Sequence, residues 1–96
     1  MILNVLSALA EPTRLGAMRI LDDGAEHCVC ELMDALGVTQ SRMSRHMQVL
    51  RQAGLVVDRR DAQWVRYRRN PALEAPTAAV LDAVLAAESG LDRKVA

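Results

Sequence analysis

The chain has 96 residues, which we interpret as a single domain over residues 1–96, because smaller pieces would bury too little apolar surface to fold without metals or disulfides. Its apolar fraction of 51% comes almost wholly from Ala, Leu, Val and Met, a mixture that favours helices. No apolar run is long enough to cross a membrane and the first residues lack the pattern of a signal peptide, so we expect a cytoplasmic protein without a membrane span.

The net formal charge is zero, but the charges are segregated along the chain. Residues 1–37 hold two arginines and six acidic residues, and residues 71–96 hold two basic and four acidic residues. Residues 40–70 hold eight arginines against Asp58 and Asp61. A basic block between acidic flanks predicts a phosphate-binding surface; a solvated charged face is the alternative, but such a face more often mixes the two signs.

Four helices are predicted in the first half of the chain. The first covers residues 2–9, and the second begins at Pro12, where a missing N–H costs nothing, and ends at residues 22–24. The third runs from about Cys28 to Leu36, before Gly37. The residues expected to face the core are Leu3, Leu6, Leu9, Leu15, Met18, Ile20, Leu21, Val29, Leu32, Met33 and Leu36.

The fourth helix starts after a turn of only three residues, with Thr39 as its N-cap, and continues to about Ala53. Met43, Met47 and Leu50 recur at helical spacing and are expected to anchor it to the core. Two helices joined by so short a turn are typical of a helix-turn-helix, whose second helix reads the major groove. The candidate DNA-contacting residues of this helix are Gln40, Ser41, Arg42, Ser44, Arg45 and His46, with Gln40 suited to adenine and Arg45 to guanine. His46 is expected either to pack or to touch a phosphate.

Two strands follow, at residues 55–60 and 64–69, separated by residues 61–63, and a last helix is predicted over residues 77–88. The fold class is therefore mainly α with a two-stranded β-hairpin, a winged helix-turn-helix. Apolar terminal helices are expected to form a homodimer interface, so that two recognition helices read an inverted repeat in double-stranded operator DNA. The hairpin arginines expected to engage phosphates or the minor groove are Arg59, Arg60, Arg66 and Arg68.

Three stretches together resemble the ArsR/SmtB family of metal- and stress-responsive repressors. They are LAEPTRL at residues 9–15, CVCELMDAL at residues 28–36 and TQSRMSRHMQVLRQAGLV at residues 39–56. The resemblance implies a dimeric repressor that leaves its operator when an inducer binds. Cys28 and Cys30 look like the arsenite-sensing site of the ArsR branch, in which a third cysteine normally follows at the position of Met33. The hairpin turn also departs from the family, because Ala62 stands where Gly is common.

As(III) and Sb(III) are thiophilic, so Cys28 and Cys30 are the expected ligands of such an inducer. We expect these residues to be free thiols, because cysteines this close in sequence do not easily form a disulfide with each other. Residues two apart on a helix point about 200° away from each other, so binding by both sulfurs is predicted to unwind the start of the third helix. Such a distortion would act as the switch that changes operator affinity.

Other interpretations of the cysteines stay open at this point. Zn(II) or Cd(II) is a rival ranked below arsenite, since residues around the pair could complete a tetrahedral shell. His27 is one such residue, but an exposed loop histidine is its simpler interpretation. Thiol oxidation is a third possibility, and two small structural cysteines without a ligand are a fourth. A pure protein-interaction module would bind no operator, and no motif supports an enzyme. The further zinc-ligand candidates are Glu26, Glu31 and Asp34.

Overall fold

A computed structural model of the protein describes the backbone of residues 1–95 and the side chains of residues 1–88. The order of elements confirms the predicted series of four helices, a hairpin and a last helix, with one short strand added before the third helix. The elements are α1 (Ile2–Leu9), α2 (Pro12–Leu21), β1 (His27–Cys28), α3 (Val29–Leu36), α4 (Gln40–Gln52), β2 (Val56–Asp61), β3 (Trp64–Arg69) and α5 (Ala75–Val95).

The boundaries of the helix-turn-helix follow from two residues. Gly37 ends α3 in the left-handed conformation, with φ of 67°, which a residue without Cβ adopts at little cost. Thr39 opens α4, and its Oγ1 accepts a hydrogen bond from the Arg42 N–H at 3.4 Å. The predicted turn and N-cap are thus confirmed, and α3 and α4 pack against each other across them.

One apolar core joins all five helices to the sheet. The predicted anchors of α4 are completely buried, and α5 contributes Leu81 and Leu85 to the same core. Burial of a side chain of this size stabilises the fold by roughly 1.5–3 kcal/mol, so the core holds the recognition helix firmly. The largest fully buried side chains are Met18, Leu21, Leu32, Met43, Met47, Leu50, Leu55 and Leu81.

The first helix packs on a different face from the one predicted. Val5, Ala8 and Leu9 are buried, whereas Leu3 is 70% exposed and Leu6 is also exposed. The prediction was wrong because α1 carries apolar residues on two faces and only one of them packs on this chain. The second face is left open to solvent.

The third helix begins one residue later than predicted, because Cys28 belongs to a strand. The two residues of β1 pair with the hairpin, His27 opposite Tyr67 and Cys28 opposite Arg66, and the strand order is β1-β3-β2. A strand of two residues is too short to produce an alternating sequence pattern. The segment before α3 is therefore a third strand of the wing sheet.

The predicted hairpin is confirmed, with pairs that run from Val56–Arg69 to Asp61–Trp64. Its turn places Ala62 at φ of 55°, in the left-handed region that an L side chain adopts only at a cost. The last helix is longer than the predicted residues 77–88. Within the described residues, no helix combines the length and apolarity that a bilayer crossing demands.

Candidate functional site

Cys28 caps the N-terminus of α3. Its backbone is extended, with φ of −64° and ψ of 144°, and its Sγ accepts a hydrogen bond from the Cys30 N–H at 3.2 Å. In return, the Glu31 carboxylate accepts a hydrogen bond from the Cys28 N–H at 3.3 Å. This reciprocal arrangement is a capping box in which cysteine takes the place of the usual serine or threonine.

The two cysteines are joined to each other by a disulfide, so the expectation of free, unpaired thiols was wrong. The reason is that Cys28 lies outside the helix as its cap, and its side chain turns back over the first turn towards Cys30. The two Cα atoms are 5.1 Å apart, within the usual range for a disulfide. The sulfurs therefore meet while α3 is intact, and the unwinding predicted for a shared ligand is not needed. Met33, one turn further on, is half-buried against the core.

His27 lies beside the cysteine pair, but both ring nitrogens are already occupied. Its Nε2 donates to Asp23 Oδ2 and its Nδ1 to Glu31 Oε2, each at 2.9 Å. The hydrogen bond to Asp23, followed by the one to Glu31, raises the pKa of His27 above its usual value, against the opposing effect of burial. The side chain is only 16% exposed, so the expectation of an exposed loop histidine was wrong.

Glu26 is also engaged, because its two oxygens accept hydrogen bonds from Arg59 on β2, at 3.0 Å from Nε and 2.7 Å from Nη2. Among the residues that the structure describes, no group of three or more His, Cys, Asp or Glu side chains is arranged to hold a metal ion. The zinc or cadmium shell considered from the sequence is therefore not assembled around the sulfurs.

The predicted recognition helix presents a polar face. Five of its six predicted DNA-contacting side chains are exposed, and the sixth, His46, is 17% exposed and contacts α2 instead of solvent. Arg51, near the end of the helix, pairs with Asp58 on β2 at 3.2 Å and so ties α4 to the wing. The five exposed residues are Gln40, Ser41, Arg42, Ser44 and Arg45.

The wing arginines divide into two groups. Arg59 pairs with Glu26, and Arg66 pairs with Asp61 in the same hairpin at 2.8 Å. Arg60 and Arg68 form no ion pair with any side chain that the structure describes. These two arginines can therefore contact a phosphate without first breaking an internal ion pair.

The sequence did not predict the polar interactions of two arginines. Arg69 pairs through Nη1 with Asp22 at 3.0 Å and with Asp82 at 2.8 Å, which ties β3 to the end of α2 and to α5. Arg14 contacts α1 and α4 together. Both arginines bridge segments that are distant in sequence. The one sequence feature that pointed to either of them was the place of Arg14 in the LAEPTRL stretch.

Known proteins resemble this chain over most of its length. A family model for bacterial regulatory proteins of the arsR family matches residues 11–57. The arsenical resistance operon repressor of Escherichia coli K12 is 40% identical over 80 residues, 83% of this chain and 68% of that protein. The arsenic resistance transcriptional regulator ArsR2 of Pseudomonas putida KT2440 is 42% identical over 86 residues, 90% and 75% of the two chains. The structure of HlyU from Vibrio cholerae superposes with a TM-score of 0.73 at 32% identity, covering 86% of each chain.

Proposed function

This chain belongs to the ArsR family of DNA-binding transcriptional regulators, and we propose that it releases its operator when As(III) or Sb(III) binds Cys28 and Cys30. The observation that carries the proposal is the contact of the two sulfurs at the N-cap of α3, the helix that supports recognition helix α4. Relatives named as an arsenical resistance operon repressor and an arsenic resistance transcriptional regulator support the choice of inducer.

The chemistry of the pair suits a thiophilic trivalent ion. In the reduced protein the two sulfurs can bind one ion together, because the cap conformation already brings them side by side. The thioether of Met33 is a poor third ligand, so the remaining valence is filled by hydroxide, an external thiol or a group of the partner chain. The disulfide must be reduced first, since it occupies both sulfurs.

Two routes lead from this site to DNA. Cys28 caps α3, which packs against α4, and it is also a residue of β1, which pairs with wing strand β3. A ligand that moves the Cys28 backbone therefore acts on the recognition helix and on the wing together. A 100-fold loss of operator affinity requires about 2.7 kcal/mol of coupling, within the usual range for allosteric proteins.

The DNA contacts are proposed from both elements. The exposed face of α4 supplies base and phosphate contacts, with Arg45 as the side chain suited to a guanine edge. The wing supplies phosphate or minor-groove contacts. The proposed set is Gln40, Ser41, Arg42, Ser44, Arg45, Arg59, Arg60, Arg66 and Arg68.

We propose that a second copy of this chain packs on the exposed apolar face of α1. Met1, Ile2, Leu3 and Leu6 are exposed there, and apolar residues grouped in this way mark an interaction surface. Together with α5, this face would form a twofold dimer that reads an inverted repeat. We expect Leu3→Glu to convert the dimer to a monomer in light scattering and to weaken operator binding.

The proposal is tested by release from DNA. Reduced protein, bound to a labelled duplex from upstream of its own coding sequence, is titrated with As(III), Sb(III) and Zn(II). We expect As(III) and Sb(III) to release the wild-type protein from DNA. The Cys28→Ser and Cys30→Ser variants should bind the duplex but not respond to either ion, and the Met33→Leu control should respond like the wild type. Release that persists in the Cys28→Ser/Cys30→Ser variant would contradict the proposed site.

The disulfide favours a second candidate function, the sensing of oxidants. Peroxide would take two electrons and two protons from the Cys28 and Cys30 thiols, forming one S–S bond and two water molecules. The same assay separates the candidates. Release by peroxide, reversed by a reductant and absent in Cys28→Ser, together with no response to As(III), would favour oxidant sensing over metalloid sensing.

A further inference from the structure

Arg14 joins the end of α1 to α2. Its Nε donates to the Ala8 carbonyl oxygen at 2.6 Å, and its Nη2 donates to the Ser7 carbonyl oxygen at 3.3 Å. The last carbonyls of a helix lack the usual partners of the next turn. The Ser7 oxygen also accepts from the Ala10 N–H at 3.2 Å, and Arg14 adds a donor to it and to the Ala8 oxygen. Arg14 thus fixes where α1 ends relative to α2.

The same guanidinium also reaches the recognition helix. Its Nη1 donates to His46 Nδ1 at 3.2 Å. Because a guanidinium has donors only, Nδ1 accepts, and the imidazole proton is on Nε2. That nitrogen lies 3.8 Å from Glu11 Oε2, and Glu11 Oε1 accepts from the Arg14 N–H at 2.8 Å. Glu11, Arg14 and His46 therefore form a closed polar cluster between three helices.

Ser7 and Ala8, whose carbonyl oxygens accept from Arg14, also line a cleft between α1 and α4. The cleft is open to solvent and has a volume of about 280 Å³. Where apolar packing does not fix the angle between two helices, a polar connection between them has the larger influence on that angle. The cleft is lined by Asn4, Ser7, Ala8, Val49, Gln52 and Ala53.

We propose that Arg14 is a positioning residue that sets the orientation of recognition helix α4 relative to α1. The inference rests on the proposed function, because α1 is the proposed dimer helix and α4 the proposed reader of DNA. In a dimer, the angle between these helices determines the spacing of the two recognition helices and hence of the half-sites that they fit. The role also explains His46 without a direct DNA contact, since its Nδ1 accepts a hydrogen bond from Arg14.

The test uses full-length reduced protein and two duplexes. One is the inverted repeat that the wild-type protein protects in footprinting, and the other has one base pair inserted between its half-sites. The variants are Arg14→Ala, His46→Ala and both together. Arg19→Ala is the matched control, because it removes a second arginine of α2, one that pairs with Glu88 at 3.8 Å.

We expect Arg14→Ala and His46→Ala each to weaken binding to the native spacing about tenfold, the size of one charge-assisted hydrogen bond. The double variant should lose no more than either single one, because both changes remove the same connection. Preference for the native spacing over the inserted one should shrink in these variants and persist in Arg19→Ala. His46→Ala removes the same hydrogen bond by a change on α4, so it tests the inference even if Arg14→Ala does not fold.

Two results would overturn the inference without touching the proposed function. The first is an Arg14→Ala protein that keeps the wild-type spacing preference. The second is a double variant whose losses multiply to about a hundredfold, since independent effects add in free energy and would place His46 on the DNA by itself. A wild-type protein that protects no DNA would overturn the proposed function as well.

Discussion

Glu26 and Arg59 form a two-point salt bridge that joins the segment before Cys28 to the first strand of the wing. Both carboxylate oxygens of Glu26 are used, and the guanidinium lies on a wing strand expected to face DNA. If the wing binds DNA as proposed, Arg59 has two competing partners, the internal Glu26 carboxylate and an external phosphate. Such competition would connect the cysteine region to the proposed DNA-binding surface through charge as well as through the β1–β3 pairing.

Glu26→Gln should bind operator DNA about threefold more tightly than the wild type, because it frees Arg59 and removes a negative charge near the phosphates. Arg59→Ala should bind more weakly. Fluorescence anisotropy at low and moderate salt measures both. Asp61→Asn, which frees Arg66 inside the hairpin and removes one negative charge, should tighten binding in the same direction. Weaker binding by Glu26→Gln would show that the pair supports the DNA-bound wing.

Arg45 and Arg60 should contribute to DNA binding in different ways. Arg45→Ala is expected to weaken specific binding about tenfold or more and to relax the preference at one base position, as for a guanine contact. Arg60→Ala is expected to weaken binding to all sequences alike and to lower the salt slope by about one. Binding to single-base operator variants over a salt series distinguishes them. Equal losses across all sequences for Arg45→Ala would remove Arg45 from base reading.

Ala62→Gly should stabilise the protein. An L residue in the left-handed region costs about 1 kcal/mol, and the greater freedom of glycine in the unfolded chain offsets about half of the gain, leaving about 0.5 kcal/mol. Urea unfolding of the reduced protein measures the difference. Ala79→Gly, at an exposed position of helix α5, is the control and should destabilise. A destabilised Ala62→Gly protein would argue against strain at the turn.

His27 should stabilise the fold in a pH-dependent manner. Asp23 and then Glu31 raise its pKa in the folded protein above the ordinary value of 6.5. The stabilisation is therefore complete below about pH 6.5 and disappears as the pH rises through the folded pKa. His27→Gln should lower the free energy of unfolding more at pH 6 than at pH 9. An equal loss at both pH values in urea titrations would refute an ionic contribution, and Asp23→Asn should flatten the same pH dependence.

The helices were predictable because their signals are local. Met43, Met47 and Leu50 repeat at helical spacing, and Thr39 and Gly37 mark boundaries by well-known cap chemistry. Even the cap of α3 had a signal, since Glu31 follows Cys28 at the spacing of a capping box. Cysteine is not among the usual capping residues, so the segment was interpreted as helix from Cys28 onwards, and the meeting of the sulfurs was missed.

The remaining features depend on contacts between distant residues. β1 forms because His27 pairs with Tyr67. Glu26 forms its salt bridge with Arg59, which lies 33 positions further along the chain. The sequence left His46 open between packing and a phosphate contact, and in the structure its ring is partly buried against Arg14 on another helix. Helical periodicity assigns a side chain to a face and does not identify what covers that face.

The most direct test of the central claim is the affinity of the reduced protein for As(III), measured with and without saturating operator DNA. If the cysteine site and the DNA surface are linked, operator DNA must weaken As(III) binding by the same factor by which As(III) weakens DNA binding, about 100-fold for 2.7 kcal/mol of coupling. We predict this reciprocal loss, and its absence in Cys28→Ser. Equal As(III) affinity in the presence and absence of operator DNA would contradict the account.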